Sequence, residues 1–204
     1  MRIGIYGGSF DPVHYGHLLL AESCREQCQL DRIYFLPAAQ SPHKRHVPVT
    51  AGKERVEMLR LATGGHESFE VKTWELDRGG VSYTVDTLRA IHAEEPHNAW
   101  FFLMGGDSLA DFPTWREPAE ICRLASLVVV DRPGSPRADL AGLASFVAAA
   151  TLRELEGLRV DMPQIEISSS DLRQRVSSGK SIRFRTPRAV EAFIQANDLY
   201  RPAS

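Results

Sequence analysis

At 204 residues, 43% of them hydrophobic, the chain is long enough to close a substantial core and is expected to form one domain over 1–204, with a C-terminal helical portion from about 168. A formal net charge of −2 and a pI near 6.4 leave no overall basic footprint. That excludes nucleic-acid binding by bulk electrostatics and requires small anions to be gripped locally. No apolar run approaches the ~20 residues of a membrane span. The three cysteines, Cys24, Cys28 and Cys122, have no C-x-x-C spacing, so neither a zinc site nor a disulfide framework is indicated and a cytoplasmic location is expected.

Ile3 and Ile5 mark a first strand, Arg2 to Tyr6, which runs out into GGSFDPVHYGH at 7–17. The apolar positions from Leu18 onward carry a helix over 15–28, and Ile33 to Leu36 is a second short strand stopped by Pro37. Strand, turn, helix and strand form a βαβ unit, whose parallel pairing needs a helical crossover. Residues 38–50 hold two prolines with His43, Lys44, Arg45 and His46, a basic loop. An amphipathic helix over 51–62 ends at Gly64 and Gly65. Phe69 to Leu76 is a β-rich stretch up to the turn at 77–80. Val85, Leu88 and Ile91 share one face of the helix that follows.

Trp100 to Met104 and Leu127 to Val130 are continuous apolar runs, the pattern of central strands buried on both faces. Between them Trp115 stands in a polar segment ahead of a helix around 119–124. Residues 138–156 are alanine-rich and expected to be helical, Gln164 to Ile167 is expected to be a strand, and SSSD at 168–171 supplies N-caps for a further helix. Pro187 opens a last helix over 188–196. The alternation predicts an α/β fold with a doubly wound, Rossmann-like parallel sheet flanked by helices. Ligands of such sheets bind beyond the carboxyl ends of the strands, so the loops 7–17, 37–50, 105–116 and 168–173 should converge on one crevice.

Two familiar phosphate loops are absent. Gly4, Gly7 and Gly8 do not make G-x-G-x-x-G, and Gly179-Lys180-Ser181 lacks the glycine a P-loop needs at 174, where Gln174 stands. His14 and His17, three apart at a helix start, project to one side and can both donate hydrogen bonds to phosphate oxygens near the helix N-terminus. Outside its setting, such a pair would as readily be a surface or capping pair. Following a buried strand and GGSFDP, it points to phosphate. Lys44 is open to a solvated reading, Asp107 to a helix-capping one and Trp115 to a core one, although Trp115 has polar neighbours that favour a partly exposed stacking face.

GGSFDPVHYGH resembles the first half of the signature of the nucleotidyltransferase superfamily that carries the H/T-x-G-H motif. The second half of that signature, I-S-S-T-x-x-R, is matched by ISSSDLR at 167–173, with Ser170 keeping the hydroxyl of the usual threonine. SPHK at 41–44, SYTVDTL at 82–88, GGDSLADFPTW at 105–115 and the ending at 181–200 resemble the bacterial nicotinate mononucleotide adenylyltransferases. The resemblance implies transfer of AMP from ATP to nicotinate mononucleotide, giving nicotinate adenine dinucleotide and pyrophosphate.

It implies backbone amides of Gly8, Ser9 and Phe10 at the reacting phosphates, His14 and His17 as the catalytic pair, and Ser169, Ser170 and Arg173 on the leaving phosphates. Lys44 would stand on the acceptor side, Asp107 at a ribose, and Thr84 and Trp115 at the nicotinate ring. Mg2+ is expected to be delivered with ATP rather than held by a private cage of protein ligands. The implied partners are the two small substrates, with no nucleic acid and no membrane, and a homo-oligomer is compatible with the sequence. A related adenylyl or cytidylyl transferase with another acceptor, or a nucleotide-binding regulator without turnover, is the alternative.

Overall fold

The computed structural model describes residues 1–42, 49–131, 137 and 139–202. Six strands form one sheet: β1 (Arg2–Gly8), β2 (Arg32–Pro37), β3 (Phe69–Val71), β4 (Ala99–Gly105), β5 (Ser126–Asp131) and β6 (Arg159–Asp161). Their order across the sheet is β3-β2-β1-β4-β5-β6, and every pair is parallel. The order reverses between β1 and β4, which makes the carboxyl ends of these two strands the topological switch point.

Alternation along the strands divides the core. Ile33, Phe35, Phe101, Leu103, Val128, Val130 and Val160 face one layer of helices, while Ile3, Ile5, Tyr34, Leu36, Phe102, Met104, Leu127 and Val129 face the other. The first layer holds α1 (Tyr15–Gln27), α2 (Gly52–Thr63), α8 (Ser169–Ser177) and α9 (Arg188–Ala196). The second holds α4 (Thr84–Glu94), α5 (Gly106–Asp111), α6 (Pro118–Leu124) and α7 (Ala149–Glu156). A short helix, α3 (Trp74–Arg78), lies at the β3 edge.

Three expected elements differ. The β-rich stretch from Phe69 stops at Val71, paired with Phe35, although β2 runs on to Pro37. Trp74 then turns into α3 to set its ring edge against Tyr34, 5.8 Å between centroids, and Thr73 Oγ1 closes the turn on Asp77 Oδ2 at 2.7 Å. No strand forms at 164–167; the sixth strand lies earlier, its Arg159–Asp161 paired with Val129–Asp131 of β5. Ile165 and Ile167 still pack on the first core, so their alternation is real but lacks a ladder. The alanine-rich segment is helical only in pieces, a 3-10 turn at Leu140–Leu143 capped by Asp139 Oδ1 on Ala141 N–H (2.8 Å), and α7.

Candidate active site

Beyond β1 the loop at 8–14 is built around two steric necessities. A Cβ on Gly8 would stand 3.0 Å from the Phe10 ring, and one on Gly16 would stand 3.0 Å from the His14 imidazole. The second explains the glycine between the histidines: it leaves room for the buried His14 ring to lie flat against His17, with 3.7 Å between centroids and 22° between planes. His14 caps α1 in an extended conformation, and its backbone N–H donates to His17 Nδ1 at 3.2 Å. That bond makes Nδ1 an acceptor, so neutral His17 carries its proton on Nε2. Phe10 braces the same ring edge-on at 5.1 Å.

The amide of Tyr15 at the start of α1 donates to Arg185 C=O (3.2 Å), so the helix end is partly occupied by protein rather than open to an anion. Thr186 Oγ1 adds a buried bond to Val13 C=O at 2.8 Å.

ISSSDLR meets this loop directly. Ser168 caps α8, accepting from Asp171 N–H at 3.1 Å; Ser169 Oγ donates to Pro12 C=O at 2.9 Å; and Arg173 donates through Nη1 to Asp11 C=O at 2.7 Å and through Nη2 to Ser170 Oγ at 3.2 Å. The two halves of the motif are therefore hydrogen-bonded to each other across most of the chain. Tyr6, Ser9, Phe10, His14, His17, Ser169, Ser170 and Arg173 line one cavity of about 780 Å³, together with the segment 162–168.

A second cavity of about 570 Å³ adjoins it, and Ser9 lines both. Its walls bring together Gly8, Thr84, Asp107 and Trp115. Thr84 opens α4, and Asp107 is exposed on the first turn of α5. Trp115 follows the 3-10 turn Phe112–Thr114, half-buried, with its ring against Phe102 at 5.9 Å and Phe112 at 5.4 Å. At the mouth the Arg116 guanidinium lies 4.9 Å over the Tyr83 ring and 3.2 Å from Asp86, and Arg89 pairs with Glu117 at 2.5 Å. Buried Glu75 accepts from Thr87 Oγ1 at 2.8 Å on the wall. The strand-end loop at 38–42 is pinned by Ala38 N–H on Gly8 C=O and Ala39 N–H on Ser82 Oγ, both 2.9 Å. Lys44 lies outside the described residues.

Sequence reasoning missed Arg55, Tyr200, Arg185 and Thr186. Arg55 had a visible signal, since it shares the apolar face of α2 with Met58 and Leu59. None of the three cysteines has the surroundings of an activated thiolate: burial raises the pKa of Cys24 and Cys28 and pushes that of Cys122 up to about 11. Among the described residues no group of three or more His, Cys, Asp or Glu could hold a metal ion, and no helix is long and apolar enough to cross a membrane.

A family described as cytidylyltransferase-like matches residues 5–175. A relative from Rhodopirellula baltica, described as a probable nicotinate-nucleotide adenylyltransferase, is 44% identical over 199 residues, 98% of this chain and 93% of its own. One of the same description from Thermus thermophilus is 43% identical over 203 residues, 98% of this chain and 100% of its own. Among solved structures, the Plasmodium falciparum nicotinic acid mononucleotide adenylyltransferase complexed with NaAD superposes with a TM-score of 0.75 at 19% identity, covering 98% of this chain and 97% of that one, a likeness of fold. With both motif halves joined in one crevice and relatives matched along nearly their full length, the chain belongs to the nicotinate-nucleotide adenylyltransferase family of the cytidylyltransferase-like proteins.

Proposed function

We propose that the protein transfers AMP from ATP to nicotinate mononucleotide. A phosphate oxygen of the mononucleotide attacks the α-phosphorus of ATP, a new P–O bond forms, the bond between the α-phosphorus and its bridging oxygen breaks, and pyrophosphate leaves with those electrons. The attacking oxygen is already anionic at neutral pH, so the protein supplies alignment and charge stabilisation rather than a nucleophile. The observation that carries this reading is the pair of adjoining cavities that share Ser9, one rich in donors for phosphate and one walled by an aromatic ring.

In the first cavity the amides of Ser9 and Phe10 and the Ser9 hydroxyl meet the reacting phosphates, and the amide of Gly8 approaches them from the wall of the adjoining second cavity. His17 donates from Nε2 to an oxygen on the α-phosphorus, where charge builds in the transition state, and His14 stacked behind it supports the same oxygens. Ser170 and Arg173 hold the leaving phosphates; Arg173 keeps further N–H groups after its bond to Asp11 C=O. Ser169 acts through its bond to Pro12, joining α8 to the loop.

In the second cavity Trp115 stacks on the pyridine ring, Thr84 borders its carboxylate and Asp107 accepts from a ribose; the role by the acceptor phosphate falls to Lys44 by family resemblance alone. The donors around the first cavity are mainly imidazole, hydroxyl and guanidinium, a set suited to phosphates that arrive with their own cation. Mg2+ bound to ATP would neutralise triphosphate charge and needs few protein ligands. A cytoplasmic setting agrees with three free cysteines.

The test is to incubate the protein with MgATP and nicotinate mononucleotide and to measure pyrophosphate and dinucleotide together. Stoichiometric appearance of both is expected, with a higher kcat/KM than for nicotinamide mononucleotide. ATP binding without pyrophosphate release would support the regulator instead, and turnover only with a different phosphate acceptor would support a related transferase.

A further inference from the structure

Beneath the phosphate-side loop lies a polar cluster with no part in the chemistry described so far. Arg55 is fully buried, 1% exposed, on the apolar face of α2. Its Nη1 donates to Ser9 C=O at 2.9 Å and its Nε to Thr50 C=O at 2.8 Å. Asp11, 2% exposed, accepts from Tyr200 Oη at 2.6 Å and from Thr50 N–H at 3.1 Å. Tyr200 comes from just beyond α9, which packs on α2. Three parts of the chain thus close on the underside of residues 9–11.

Burying a guanidinium is costly, and desolvation lowers the Arg55 pKa against the opposing pull of Asp11 and Tyr200. Packing a helix on a sheet needs only an aliphatic side chain at such a place. A guanidinium adds a planar fork able to fix two carbonyls at once. In a trans peptide the C=O of one residue and the N–H of the next point in opposite directions. Drawing Ser9 C=O down onto Arg55 therefore turns the Phe10 N–H away from it, on the residue that lines the phosphate-side cavity.

We propose that Arg55 is a positioning residue for adenylyl transfer, holding the Ser9–Phe10 peptide so that the Phe10 N–H faces the reacting phosphates, with Asp11 and Tyr200 locking the same loop from the C-terminal side. The assignment rests on the adenylyltransferase reading. It involves no contact between Arg55 and substrate.

Arg55→Lys keeps the charge but replaces the fork with a single point, and Tyr200→Phe keeps the ring and removes one hydroxyl. Steady-state kinetics below the melting temperature should show kcat lowered by roughly tenfold or more for Arg55→Lys, less than the ~10²–10³-fold of losing a transition-state donor outright because the amide is misaligned rather than removed, and severalfold for Tyr200→Phe. KM for both substrates should stay within about twofold, because the amide acts on developing charge. A purely structural role would lower the melting temperature and leave kcat of the folded protein unchanged, which overturns the proposal. If Arg55→Lys does not fold, Tyr200→Phe decides by the same split between kcat and KM. Absence of turnover in the wild-type protein removes the adenylyltransferase reading and this assignment with it; wild-type turnover with unchanged kcat in the folded variants removes this assignment alone.

Discussion

The two cavities are held in different ways. On the phosphate side the loop at 8–14 is fastened by side chains that reach backbone carbonyls: Arg55 to Ser9, Arg173 to Asp11, Ser169 to Pro12 and Thr186 to Val13. On the other side Trp115 stands between a buried core contact and a surface chain of ions, Arg116 with Asp86 and Arg89 with Glu117. Bonds to carbonyls fix peptide planes and resist salt, whereas exposed ion pairs are weak and screened. On the function proposed above, the chemistry would rest on a rigid floor and the choice of acceptor on a softer wall.

The sharpest way to break this contrast is at His17. His17→Ala should lower kcat by roughly 10²-fold or more, the scale of losing a transition-state charge stabiliser, with the fold intact by circular dichroism. Near-normal turnover of a folded His17→Ala protein would remove the residue from the mechanism. Trp115→Ala should act on the other side, raising KM for the mononucleotide by roughly tenfold, within the ~1–3 kcal/mol range of aromatic stacking on a base, with a smaller effect on KM for ATP. An equal change in both constants would make Trp115 a structural residue.

The floor can also be probed by pH. Burial, then the neighbouring Asp11 carboxylate, raises the Tyr200 pKa above its ordinary value of 10.0. The hydroxyl therefore stays protonated in the folded protein where the unfolded chain has lost that proton. Its contribution is complete below about pH 10 and is lost as pH rises further. Denaturant melts between pH 8 and 11 should show an alkaline loss of stability that is smaller in Tyr200→Phe; equal slopes would contradict the shift. The smallest effect is expected at the mouth of the second cavity. Glu117→Gln should raise the mononucleotide KM a few-fold at most at low salt and not at all at high salt, and a salt-independent loss would mean that the wall is stiffer than its ion pairs suggest.

Much of the fold was legible because a parallel sheet buries both faces of its central strands, and runs such as Trp100 to Met104 have few other uses. Both halves of the phosphate-side motif were legible too, since they concentrate unusual residues at fixed spacing. Thr84, Asp107 and Trp115, named by resemblance, do border one cavity. Illegible were the supports. Arg55 and Tyr200 bind across 46 and 189 residues of sequence, and Arg55 binds main-chain oxygens, which no pattern of side chains announces. The misread strand at 164–167 has the same origin in reverse: Ile165 and Ile167 alternate toward the core, but alternation does not supply a ladder, and the segment that pairs with β5 is Arg159–Asp161 instead.

The bond between Asp11 and Tyr200 also has a consequence in time. Contacts so distant in sequence close late, because the entropy of bringing the ends together must be met before they return anything. The helices and most of the sheet can form from nearer neighbours, so a refolding chain should regain its far-ultraviolet dichroism before it regains turnover. Coincident recovery of the two signals would mean that the loop is set without its last anchor. A lag would make the activity itself a report on whether the chain has closed upon its own beginning.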